Sequence, residues 1–187
     1  MSASGILQSM KDEVLSFWFE TLEPPMWWRA DPVLDAQIRE RFADLLNSAA
    51  ASELFDWRSD GRGRLAEIIV LDQFSRNIHR DTPAAFAQDP MALALAQEAV
   101  AGGYLSDLNP IERAFLLLPY MHSESPRIHV EAERLYREHA PEDNYRFELK
   151  HKEIVDRFGR YPHRNHILGR ASTPEEIEFL KQPGSSF

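Results

Sequence analysis

The sequence predicts an all-α fold of about eight or nine helices packed as antiparallel hairpins. Two observations lead there, and a third excludes the alternative. Capping side chains stand directly before proline at Asp31-Pro32, Thr82-Pro83, Asp89-Pro90, Asn109-Pro110, Ser125-Pro126 and Thr173-Pro174. A side-chain oxygen there accepts from an orphan backbone N–H. Proline at the first helical position loses nothing, because its missing N–H would be unpaired anyway. Apolar residues also recur at three- and four-residue spacing along the chain. Strand signals are poor, with no long alternating run and few β-branched residues.

Taken in order, Leu34, Ile38, Phe42, Leu45 and Ala49 form one apolar face of a helix that starts at Pro32. Leu65, Ile68, Ile69 and Asp72 repeat the spacing in a second stretch, and Gly102-Gly103 ends a further helix. Phe115 and Leu118 lie on one face before Pro119 kinks or stops the run. Leu135 and Tyr136 mark the helix after Pro126. Ile154, Val155 and Phe158 close another that Gly159 ends in a left-handed conformation. Thr173-Pro174-Glu175-Glu176 supplies a capping box for the last. No 34-residue repeat is evident and no low-complexity linker divides the chain. Residues 1–187 read as a single helical domain with a flexible lead, 1–8, and a flexible tail, 182–187.

The chain has 187 residues, 43% of them hydrophobic, and a formal net charge of −9. That balance argues against a protein that coats nucleic acid, which needs a broad basic face. The absence of cysteine excludes disulfides, zinc–thiolate sites and a thiol nucleophile. The first residues lack a secretory pattern, and no apolar run reaches the ~20 residues that cross a bilayer. A soluble, cytoplasmic protein without membrane contact is expected. His129 and Glu133 are four apart on a helix, with His151 beyond, but they do not make a recognised metal set. Neither a phosphate-cradling glycine loop nor a nucleophile elbow occurs, so no metal and no cofactor is expected.

Three polar clusters interrupt the apolar pattern. The first is LDQFSRNIHR, residues 71–80. Asp72 and Arg76 meet one turn apart, and Asn77 and Arg80 follow at the helix end. Cations there also suit the negative end of the helix dipole without any further role. The second is PYMHSES, residues 119–125, where His122 and Glu124 fall in a corner between helices. They could serve as general base and orienting partner, or as a hydrogen-bonded turn. The third, RFGRYPHRNHILGR (157–170), holds Arg157, Arg160, Arg164 and Arg170 with His163, His166 and Asn165, and no acid. The remaining chain has 17 Lys+Arg against 30 Asp+Glu, so an acidic protein carries one concentrated basic turn. Guanidinium forks match carboxylate or phosphate oxygens. They could equally pair with the chain's own surplus acids, such as Asp72, Glu124 and Glu153, and lock helices together. Trp18, Trp27 and Trp28 could form a stacking wall or simply enter the core.

These clusters, with VLSFWF (14–19) and the long segment HKEIVDRFGRYPHRNHILGRASTPEEIEFL (151–180), resemble the bacterial family called domain of unknown function 924. The resemblance runs from about Val14 to Leu180. It implies an all-α, tetratricopeptide-like arrangement of helical hairpins and no established activity. The family pattern continues with an acid after His-Ser-Glu, where this chain has Ser125-Pro126-Arg127.

Three functional readings are open. In the first, Asp72, Arg76, Asn77, Arg80, Arg157, Arg160, Arg164, Asn165 and Arg170 bind a small phosphate- or carboxylate-bearing ligand. His122 or His163 then moves a proton, oriented by Glu124 or Asp72. In the second, helix pairs present a groove for an acidic peptide or a chain terminus, and the polar clusters are partly structural ion-pair networks. In the third, the basic loop contacts structured RNA with Tyr161 stacking on a base, which the net charge opposes.

Overall fold

A computed structural model of the chain describes residues 3–187, with side chains from residue 9 onward. Of the N-terminal lead, residues 1 and 2 lie outside the described residues, and residues 3–8 are the backbone of the first helix. Among the described residues there are nine α-helices and no strand. They are α1 (Ala3–Ser16), α2 (Pro32–Ala50), α3 (Gly61–Ile68), α4 (Ser75–Ile78), α5 (Asp89–Ala101), α6 (Pro110–Met121), α7 (Pro126–His139), α8 (Glu142–Phe158) and α9 (Pro174–Leu180). Short 3-10 turns join several of them. Two π-helical stretches, Phe17–Thr21 and Ile69–Phe74, extend α1 and bridge α3 to α4.

The run from α3 through α4 is the centre of the molecule. Every residue from Leu65 to Ser75 is buried, so this helix has neighbours all round rather than one wet face. It packs against α1, α2, α5 and α6. Phe74 stacks on Phe42 of α2 with centroids 4.7 Å apart and meets Trp18 edge-on at 5.7 Å. Phe115 of α6 closes the other side of Trp18 at 5.8 Å. Trp18 is thus core, whereas Trp28, 59% exposed, stacks on Phe115 from outside. The first turn of α3 needs glycine, because a Cβ at Gly63 would stand 1.8 Å from the Trp57 carbonyl oxygen. Glu67, fully buried in this core, is matched by two bonds from Arg58 at 2.6 and 2.7 Å.

The proline signals lie at helix starts, but three of the six expected caps fail: Thr82 precedes a 3-10 turn without a side-chain bond, Ser125 makes none at α7, and Asp89 is itself the first residue of α5. Asp31 caps α2, and Asn109 and Thr173 complete capping boxes for α6 and α9. Pro119 does not stop α6, which runs two residues further. Gly159 ends α8 at φ +68°, the left-handed conformation expected of it. The loop from α6 to α7 is four residues and that from α7 to α8 is two. With α6 packed on α7 and α7 on α8, connections this short make the chain reverse at each step. The corner 122–125 and the turn 159–173 are therefore brought to the buried end of the α3–α4 helix. No described helix is long and apolar enough to cross a membrane.

Candidate functional site

The three polar clusters converge. At their centre is Asp72, 1% exposed, on the π-helical stretch of the central helix. A π-turn carries an extra residue per turn and re-aims the side chains that follow. Asp72 faces the corner after α6, and its Oδ1 lies 2.8 Å from Nδ1 of His122. It also takes 2.5 Å and 3.1 Å contacts from Gln73 Nε2 and Arg76 Nη1. Burial alone would raise the Asp72 pKa, but the Arg76 charge and the His122 and Gln73 bonds outweigh it and hold the group well below the usual range.

An ionised Asp72 fixes the tautomer of His122, because a carboxylate can only accept. The Nδ1–H donates to Asp72, and Nε2 keeps its lone pair. Among the described residues nothing bonds that Nε2. Burial, reinforced by the Arg76 charge, lowers the His122 pKa from its ordinary 6.5, while Asp72 only partly restores it. The imidazole is neutral at neutral pH, with its base end unoccupied.

Two arginines flank this pair. Arg76 forms a fork on Asp89 at 2.8 and 3.1 Å. Arg164 lies between the rings of Phe86 and Tyr161, its Cζ 4.6 and 4.7 Å from their centroids. One Arg164 nitrogen donates to the His122 carbonyl at 3.0 Å, and another reaches Asp89 only at 3.5 Å. The buried Nε of Arg164 has no partner among the described residues. Arg164 is thus the least neutralised guanidinium of the cluster. Its pKa is pushed down by burial and by the Arg76 charge.

Around this centre the remaining polar residues brace the turn. Glu124 accepts two bonds from Arg170, at 2.7 and 2.8 Å, and one from the Tyr161 amide at 2.8 Å. Burial opposes its ionisation, but these donors prevail and keep its pKa low. Asn165, almost fully buried, links Ser172, Glu176 and Arg170. Arg160 forks onto Glu176 at 2.7 and 2.8 Å, and those bonds bring the Glu176 pKa down to about 2. His163 packs on Tyr161, with its Nδ1 buried and unpaired; burial and then the Arg164 charge lower its pKa to about 4.

Of the residues singled out in the sequence, Asp72, Arg76, His122 and Arg164 meet at one point, with Glu124, His163, Asn165 and Arg170 around them. Asn77 and Arg80 turn the other way and hold Asp35 of α2, Arg80 at 2.5 and 2.8 Å. Arg157 pairs with Glu175 on the surface. Glu153 makes no ion pair among the described residues. Asp89 was not legible as a site residue, because Asp89-Pro90 reads as a cap; its carboxylate instead serves the arginines. Tyr161, expected to stack on a base from an exposed loop, is instead fully buried and supports the site from below. Its hydroxyl donates to the Met121 carbonyl at 2.5 Å. His129 has both ring nitrogens engaged, Nδ1 with Glu148 at 2.7 Å and Nε2 with the Ser123 carbonyl at 2.8 Å. No three His, Asp or Glu groups gather as a metal site among the described residues.

Comparison with known proteins places this chain in a family. A solved structure of a protein of unknown function from Agrobacterium tumefaciens, ATU0120, superposes with a TM-score of 0.88 at 34% identity, covering 93% of this chain and 98% of that one. A search of curated proteins returns no match. The model of a family described as bacterial protein of unknown function (DUF924) matches residues 14–184, and the chain belongs to that family.

Proposed function

We propose that Asp72, His122, Arg76 and Arg164 form a site for a small anionic ligand bearing phosphate or carboxylate, with His122 as its acid–base group. The observation that carries this reading is the His122 imidazole. It is anchored through Nδ1 on a buried, ionised Asp72, and its Nε2 is left without a protein partner. A structural histidine would normally use both nitrogens, as His129 does with Glu148 and Ser123. A neutral imidazole of lowered pKa is a competent base near neutral pH. It would take a proton from a hydroxyl or bound water of the ligand, and Asp72 would stabilise the imidazolium that results. Arg164, with its unpaired Nε and long contact to Asp89, has hydrogen-bonding capacity to offer an anion. The ligand must compete with Asp89, so modest affinity follows. Arg80, Arg160 and Arg170 are each committed to an acid and act as braces, and Arg157 makes only a surface pair.

The test is a thermal melt titrated with phosphate against sodium chloride at matched ionic strength, on the parent, Arg164→Ala and Arg164→Lys. Binding to the native state alone stabilises by about 2.7 kcal/mol at 100 times the dissociation constant. In a chain of this size that raises Tm by roughly 5–10 °C. A saturable rise in the parent, weakened in Arg164→Lys and lost in Arg164→Ala, supports the site. Equal responses of the parent to both salts would mean that the network is internally neutralised scaffold.

A further inference from the structure

Residues 182–187 return to the site and set the ring of Phe187 against three others. Its centroid is 3.8 Å from that of His151, 4.7 Å from His163 and 5.3 Å from Tyr161. The His151 contact is tilted by 48°, and the other two are edge-on at 72° and 87°. The two sides of this contact differ in how they are held. Tyr161 and His151 are buried at 0% and 5% exposure, whereas Phe187 is 53% exposed. The walls are part of the fold and the occupant lies at its surface. Apart from ring contacts, the segment is tied back by the Gln182 amide donating to the Phe179 carbonyl at 3.0 Å and by Ser185 Oγ donating to the Leu180 carbonyl at 3.1 Å.

The cup adjoins the site described above. The Tyr161 ring that meets Phe187 also carries the Arg164 guanidinium. Arg164, Glu124, His122 and Arg76 all act electrostatically on His163, and His122 also acts on His151. The two imidazoles have pKa values lowered to about 3 for His151 and about 4 for His163, mainly by burial, so neutral rings line the cup at neutral pH. Aromatic rings in tilted and edge-on contact attract beyond the area they bury. The buried, unpaired Nδ1 of His163 adds a hydrogen-bonding point for a substituent on an incoming ring.

We infer that His151, Tyr161 and His163 form an aromatic subsite beside the Arg164 guanidinium, that it takes the ring of an aryl phosphate or aryl carboxylate, and that Phe187 fills it in the free protein. The charged end of that ligand rests on the anion reading; the ring subsite is independent of it. Phe187 is then a removable competitor, and any ligand must displace it.

The experiment compares the full chain with Phe187→Ala, following the His151 and His163 ring resonances by NMR. The probes are phenyl phosphate, inorganic phosphate and benzyl alcohol. Phe187 is half exposed, so the variant keeps its fold, which a melt verifies. If Phe187 covers the cup about 90% of the time, its removal tightens both aromatic probes about tenfold. Inorganic phosphate affinity stays unchanged. If benzyl alcohol gains and shifts both histidines while phosphate binds neither protein, the subsite holds and the anion reading falls. If phosphate binds but neither aromatic probe gains from Phe187→Ala, the subsite is overturned and the anion reading stands. Failure of all three probes overturns both.

Discussion

Replacing Asp72 by Asn removes one negative charge from the centre of the network while preserving shape. The carboxylate is 1% exposed and receives His122, Gln73 and Arg76 within 3.1 Å. An amide nitrogen in its place would face donors, and Arg76 would lose one of its two acids. Breaking a buried ion pair from one side costs about 3–5 kcal/mol. The lower end applies, because Arg76 keeps its fork on Asp89. A loss of about 3 kcal/mol lowers Tm by roughly 6–12 °C in a chain of this length. The sign with pH is fixed. The folded pKa of Asp72 lies below its ordinary 3.8, so its contribution is full above that value and is lost as pH falls through the folded pKa. Parent and variant should differ most near neutral pH and converge in strong acid. Calorimetric melts from neutral pH downward test this. A variant melting within about 1 °C of the parent at neutral pH would refute the claim that the network depends on this charge.

Two further outcomes follow from the same geometry. His151 and His163 titrate near 3 and 4 in the fold against 6.5 when unfolded. The unfolded chain then binds more protons between these values, and stability falls as pH drops below about 6.5, by about 1.4 kcal/mol per pH unit for each such group. Melts across that window should show the decline, and His163→Phe should flatten it. Arg160→Ala strands Glu176, which is 2% exposed and belongs to the capping box of α9. Arg157→Ala breaks only a surface pair, and such pairs contribute little. The first should lower Tm clearly and the second hardly at all; equal effects would contradict the division into braces and surface pairs.

The helical frame was legible because its signals are local. Asp31, Asn109 and Thr173 stand before prolines and cap as their chemistry requires, and the spacing from Leu34 to Ala49 is the buried face of α2. Asp60, which caps α3 through the Gly63 amide, lacks a following proline and escaped notice. The polar clusters were visible as departures from periodicity, but their partners were not. Asp35 and Asp89 lie 45 and 75 residues from Arg80 and Arg164, and no local rule joins residues so distant. The π-helical stretch that aims Asp72 at His122 has no composition signal, since Ile69–Phe74 reads as ordinary buried helix. Phe187 in a tail rich in Gly, Ser and Pro suggested fraying. Its contact is with rings assembled from α8 and the basic turn, which only the tertiary fold brings together.

The state of His122 tests the central claim most directly. Long-range proton–nitrogen NMR of the imidazole, followed through a pH titration with and without phosphate, reads tautomer, pKa and ligand response together. The account predicts a neutral ring at neutral pH, with the proton on Nδ1, a lone pair on Nε2 and a midpoint below 6.5. Phosphate should shift Nε2 and raise the midpoint, because an anion favours the imidazolium. A proton resident on Nε2, or a His122 spectrum indifferent to phosphate at saturating concentration, would contradict it.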